Sequence, residues 1–144
     1  MISLEEIERK IKEGLTLEEA LRETDWKDFE SLVAEIFEIH GYKTKKNFRF
    51  KTFKWFEIDV IAEKSDFVFC VECKKWGKGR YKKSQIRKAC KIHSLKTFEF
   101  SKFIDKRTIP LIVTYLEEDI IKENDVIVVP IWKLNSFLLN FFLT

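Results

Sequence analysis

The sequence predicts an α/β domain with a mixed central β-sheet and helices on its faces. Two observations carry this expectation. Hydrophobic periodicity changes along the chain in the order α-β-β-β-α-β-α-β-α, and that alternation packs best as helices laid on a sheet. The 144 residues, 45% hydrophobic, are also enough to build one proper core.

Ser3-Leu4-Glu5-Glu6 and Thr16-Leu17-Glu18-Glu19 are capping-box patterns, which predict helices over 3–13 and 16–24. Leu4, Ile7 and Ile11 give the first an apolar stripe, and together the pair forms a short N-terminal helical extension, residues 1–24. A single domain is expected over 25–144. It opens with a helix capped by Asp25 and ending at Gly41. In that helix Phe29, Leu32, Val33, Ile36 and Phe37 follow the spacing of a buried face.

Strands are expected at 42–51, 53–63 and 67–75, separated by the weak turn signals Lys51-Thr52 and Lys64-Ser65-Asp66. Trp76-Gly77-Lys78-Gly79 breaks the pattern ahead of a helix over 81–98, with Ile86, Ala89, Cys90 and His93 on one face. A strand at 108–115, an acidic short helix or turn at 117–124, a strand at 125–131 and a helix at 132–142 complete the chain. No stretch reaches the roughly 20 apolar residues of a membrane span. FLLNFFLT near the end is short, interrupted by Asn140, and reads as a packed or interface helix. A charged N-terminus unlike a signal peptide, with three cysteines, makes a cytoplasmic protein without a disulfide framework the expectation.

The net charge of +3 hides an asymmetry. Residues 1–40 carry 12 acidic and 5 basic side chains, whereas 41–91 carry 16 basic and 5 acidic. Two acid-free runs dominate the middle, YKTKKNFRFKTFKW (42–55) and KKWGKGRYKKSQIRKACK (74–91). With aromatics interleaved, they read as a footprint for a phosphate backbone. The candidate DNA contacts are Lys45, Lys46, Arg49 and Lys51 in the first run, and Lys75, Trp76, Lys78, Arg80, Tyr81, Lys82, Lys83 and Arg87 in the second. Of the aromatics Phe48, Phe50, Phe53, Trp55 and Phe56, more than half are expected in the core or an interface rather than stacked on bases.

Between the two runs lie carboxylates where a core strand should be apolar. Asp59 sits between Ile58 and Val60, and Glu72 between Val71 and Cys73. Burying a carboxylate is costly unless something compensates it. Strand alternation puts Glu72 and Lys74 on one face, and a short turn would bring Asp59 alongside. Asp59 and Glu72 suit a magnesium ion, which prefers hard oxygen ligands and keeps waters and substrate phosphate in its shell, with manganese as substitute. Such an ion assists phosphodiester hydrolysis by polarising the phosphoryl group and acidifying a bound water. Lys74 would orient or deprotonate the water, or offset charge in the transition state. Glu30, at the margin of the first long helix's buried face, either reaches this site or stands exposed beside the core.

The ordered set DFESLVAEIFEIHGYKT, EIDVIA and VECKKW resembles the PD-(D/E)xK nuclease superfamily, and within it the Mrr-like restriction endonuclease domains. The resemblance covers about residues 25–95 and implies a restriction-endonuclease-like fold with Glu30, Asp59, Glu72 and Lys74 as catalytic positions. Gln85, in SQIRKA, resembles an accessory glutamine of some branches. Ile58 replaces the motif's proline, the aromatic FKTFKWFE stands where many such domains have a glycine-rich turn, and residues 1–24 have no counterpart. The reading is a magnesium- or manganese-dependent DNA endonuclease, with a homodimer through the Phe-rich C-terminal helix as its candidate assembly. A Holliday-junction-resolving enzyme and a non-catalytic DNA-binding subunit of the same fold are the alternatives.

Cys70-x2-Cys73 and Cys90-x2-His93 formally match a zinc spacing. On a strand, however, positions 70 and 73 face opposite sides. Cys90 and His93 fall on a buried helical face, where a small apolar thiol and a satisfied imidazole are the expectation. His40, near the end of its helix, is expected in the core or as a cap.

Overall fold

The computed structural model describes residues 26–74, 83–115 and 121–141. The helices expected at 3–13 and 16–24, the Asp25 cap, and the candidate contacts Lys75, Trp76, Lys78, Arg80, Tyr81 and Lys82 lie outside the described residues. The elements are α1 (Trp26–Ile39), β1 (Lys43–Lys51), β2 (Trp55–Lys64), β3 (Phe67–Lys74), α2 (Lys83–Ser101), β4 (Arg107–Thr114), β5 (Ile121–Glu123), β6 (Val126–Pro130) and α3 (Ile131–Asn140). They form the expected mixed sheet, in the order β1-β2-β3-β4-β6-β5. β1, β2 and β3 make an antiparallel meander, β3, β4 and β6 run parallel, and β5 closes the far edge antiparallel to β6.

The first face of the sheet is covered by α1 and α3. Phe29, Leu32, Val33, Ile36 and Phe37 of α1 are all buried, as their spacing predicts, against Val60, Ala62, Phe69, Val71 and Leu111. α1 ends where Gly41 takes φ 87. The Tyr42 N–H then bonds the Phe37 carbonyl and the Gly41 N–H bonds that of Glu38, a Schellman closure that satisfies orphan carbonyls. His40 does not enter the core; its Nε2 meets Asn135 Oδ1 at 2.8 Å and so ties α1 to α3. Phe137 and Phe141 of the Phe-rich C-terminal segment pack against this core, while Trp132 and Leu139 stay exposed.

The second face lies under α2. Phe50, Phe56, Ile58, Ile61, Val68 and Cys70 cluster with Phe100, and Ile86 and Cys90 pack on Ile112, Val126 and Val128. Phe48 joins the first of these clusters, so Phe48, Phe50 and Phe56 belong to the interior while Phe53 and Trp55 are exposed. Cys70 and Cys73 sit in clusters on opposite faces, as strand alternation requires, and cannot bind one ion. Burial pushes the Cys70 thiol up to about 12 and the Cys73 thiol well above its ordinary range, which keeps both protonated.

Of the acidic helix or turn expected at 117–124, residues 117–120 lie outside the described residues, and the rest differs from expectation. Residues 121–123 form the edge strand β5, not an acidic helix or turn. The cause is the two-residue loop Asn124-Asp125, with φ 51 and φ 64, which matches the twist of a tight hairpin and zips Glu123 onto Val126.

Phe69 is the hub of the first core, with ring centroids 5.5 Å from Phe37, 5.8 Å from Tyr42 and 5.0 Å from Phe141. Phe69→Ala should cost about 3–5 kcal/mol. A urea midpoint lowered at unchanged m would register the loss.

Candidate active site

The site forms where β2 leaves β3. Their ladder runs from Lys64↔Phe67 to Val60↔Val71 and stops. The next rung would join Asp59 to Glu72. There Asp59 Oδ2 takes the Cys73 N–H at 2.8 Å, so a side chain replaces the departing backbone of β2. β3 itself continues along β4 as far as Lys74↔Thr114. Glu72 and Lys74 therefore lie on a strand still held on one side and opened on the other.

A slip in strand alternation produces the opening. Val60 and Ala62 belong to the α1 face, whereas Phe56, Ile58 and Ile61 share the α2 face. Positions 58 and 61 cannot share a face on a regular strand, so the phase shifts at Asp59. β1 shifts at the same level, where Asn47 adopts φ 54 between the pairs Lys46↔Val60 and Phe48↔Ile58. Beyond the slip, Arg49 and Lys51 pair with Glu57 and Trp55 on the face that carries Asp59. The Arg49 guanidinium lies 5.3 Å from the centre of the Trp55 ring. Lys46 reaches Ser31 of α1 at 2.9 Å on this same side. Lys45, paired with Ile61, lies on the opposite face and is separated from these three.

Glu72 and Lys74 face the same way, with Lys74 Nζ 3.7 Å from Glu72 Oε2. Burial and the neighbouring Glu72 carboxylate drive Asp59 up to about 8, and Glu30 pushes in the same direction. Burial raises Glu72 too, but the Lys96 ammonium, the His93 side, the hydrogen bond from Asp59 and Lys74 outweigh it and hold Glu72 below its ordinary value. Of the two carboxyls, Asp59 is thus the one whose surroundings favour a proton. Glu30 is 4% exposed, so of its two readings it takes the one directed into the protein, beside the site. Gln85 stands exposed in the first turn of α2, eleven residues and roughly 16 Å of helix rise before Lys96. Lys83 and Arg87 are also exposed there, Arg87 Nε lying 3.9 Å from Glu123 Oε1.

Lys96 is the residue that sequence reasoning missed. Its Nζ lies 3.3 Å from Glu72 Oε2 and 3.4 Å from Oε1. Continuing the buried stripe Ile86, Cys90, His93 by the same spacing leads to Lys96, Thr97 and Phe100, all buried. A lysine on that stripe was the available signal. His93 is buried as expected and bonds the Cys70 carbonyl through Nε2 at 2.8 Å. Burial pushes it down to about 4, so it is neutral near pH 7.

The six-stranded mixed sheet flanked by helices is a restriction-endonuclease-like fold, and it forks between Asp59 and the Glu72-x-Lys74 strand beside Glu30 of the preceding helix. Residues 21–106 match the family model of the Mrr catalytic domain, described as restriction endonuclease, and the chain belongs to that family. An uncharacterized protein of Archaeoglobus fulgidus is 36% identical over 116 residues, which is 80% of this chain and 90% of that relative. A crystal structure of a protein of unknown function aligns with a TM-score of 0.44 and 25% identity, over 65% of this chain and about half, 48%, of its own.

Asp59 takes up its proton more readily in the folded chain than in the unfolded one, its pKa moving from 3.8 to about 8. The stability this supplies is complete below the lower value and fades as pH rises through the upper one. Asp59→Asn keeps an acceptor for the Cys73 N–H and removes the charge. At about pH 8.5 the variant should exceed the wild type in metal-free stability by at least about 1 kcal/mol, with little difference near pH 3, below the unfolded value. Urea denaturation at the two pH values measures both.

Proposed function

We propose that this protein is a divalent-metal-dependent DNA endonuclease that hydrolyses phosphodiester bonds. The observation that carries the reading is the convergence of Asp59 and Glu72 at the fork of β2 and β3, within hydrogen-bonding reach of one another and beside Lys74. Two carboxylates this close present the oxygen-rich, charge-dense pocket that a magnesium or manganese ion fits. Asp59 and Glu72 would hold the ion, with Glu30 as a third acid acting through water. Among the described residues no group of three His, Cys, Asp or Glu side chains forms a ready cage. Water and a substrate phosphate would fill the remaining positions, as magnesium commonly allows. When bound, the ion supplies charge neutralisation at phosphorus and an acidified water.

Lys74 would orient the attacking water or offset charge on the phosphate, and Gln85 would assist from the first turn of α2. Lys46, Arg49, Lys51 and Trp55 flank Asp59 on the opened hairpin face and would carry the DNA backbone toward it. Lys83 and Arg87, with the run Lys75–Lys82 and its Trp76 and Tyr81, would hold the strand on the other side. Lys45 would contribute only from across the hairpin edge. The exposed Trp132 and Leu139 of α3 would serve a homodimer.

In a supercoiled-plasmid assay the wild type should nick DNA with magnesium or manganese and not in chelator. Asp59→Ala should abolish nicking, and Lys74→Ala should slow it about 10²–10⁴-fold. DNA binding without metal-supported cleavage, or equal cutting by the variants, sinks the enzyme reading and leaves a DNA-binding subunit. Replacing Arg49 and Lys51 together by Ala should weaken binding equally for unrelated sequences. The slope of log affinity against log salt should become shallower by about 2, read by fluorescence anisotropy.

A further inference from the structure

Glu72 is held by two cations that are not equivalent. Lys74 lies 3.7 Å from Oε2, with its side chain 35% exposed. Lys96 reaches both oxygens from the α2 side, with its side chain 11% exposed. Oε2 is thus the oxygen turned toward Lys74 and the open fork, while Lys96 also covers Oε1. The root of Lys96 is fixed, because His93, one turn earlier on α2, is bonded to the β3 carbonyl of Cys70. Contacts of 3.3 and 3.4 Å are longer than the 2.7–2.9 Å of a tight charge-assisted bond. The ammonium straddles the carboxylate and is free to settle on Oε1 once Oε2 is engaged.

Burying a lysine carries a desolvation cost, and Lys96 meets it by pairing with both oxygens of Glu72. Building on the nuclease reading above, we propose that Lys96 is a positioning residue for that reaction. It acts as the standing counter-ion of Glu72 and fixes its carboxylate, so that Lys74 is left with only the longer, shared contact to Oε2. The division follows from rigidity. Lys96 is anchored deep in a 19-residue helix, whereas Lys74 is the last residue of β3 and the more accessible of the two. An anchored cation suits a constant partner, and an accessible one suits a water or phosphate that comes and goes.

Lys96→Met and Lys96→Arg separate this role from mere packing. In the metal-free proteins, the acylation rate of Lys74 by acetic anhydride is read by mass spectrometry against that of exposed Lys88. With Met at 96, Lys74 should close from its 3.7 Å contact into a tighter pair with Glu72 and react several-fold more slowly; with Arg its rate should stay at the wild-type value. In single-turnover cleavage at saturating magnesium, the Met variant should be about 10–100-fold slower with DNA affinity unchanged, and the Arg variant should recover most of the rate. Unchanged Lys74 reactivity, wild-type cleavage by the Met variant, or parallel loss of rate and melting temperature in both variants overturns the role. A Met variant that cuts normally while Asp59→Ala is dead removes Lys96 alone. A wild type that never cleaves with metal removes the nuclease reading and this role with it.

Discussion

The hydrogen bond from the Cys73 N–H to Asp59 Oδ2 is the contact on which the rest of the site depends. Two antiparallel strands cannot part in the interior without orphaning backbone groups. Here one carboxylate takes the place of the lost rung. β2 is then free to turn away, β3 stays in register with β4, and the rung that would have joined Asp59 to Glu72 becomes a pocket instead of a ladder. The fork is therefore a local electrostatic device as much as a topological one.

The same contact sets the charge balance. Holding Asp59 against β3 brings it within hydrogen-bonding reach of Glu72, and burial leaves too little water to screen the pair. Lys96 and Lys74 compensate Glu72 but not Asp59, so the excess negative charge is met by a proton. The rung is flanked by an aromatic core around Phe69 on one side, and by α2, tied to β3 through His93, on the other.

The slip at Asn47 and Asp59 also organises the surface. By turning Phe48, Phe50, Phe56 and Ile58 under α2, it rotates Arg49, Lys51 and Trp55 onto the face that carries Asp59. A regular hairpin would have sent these cations to the far side. The aromatic stretch FKTFKWFE thus does two jobs, half of it closing the second core and half of it flanking the site.

Local sequence determined the described helices and every described strand except β5, the buried stripe of α1, the separation of Cys70 from Cys73, and the grouping of Asp59, Glu72 and Lys74, because periods of 3.6 and 2 fix which side chains share a face. Most of the candidate site was legible for that reason: an acid flanked by Ile and Val, or by Val and Cys, announces itself against its neighbours. Tertiary structure alone decided the rest. The phase slip arises from two strands adjusting together, so neither Asn47 nor Asp59 reveals it in isolation. Strand β5 owes its pairing to β6 and a two-residue loop, against the acidic character of its neighbours. Lys96 met Glu72 because α2 lies across β3, joining residues 24 positions apart. A charge on a helix has no partner until another element is packed against it, and only the assembled fold supplies one.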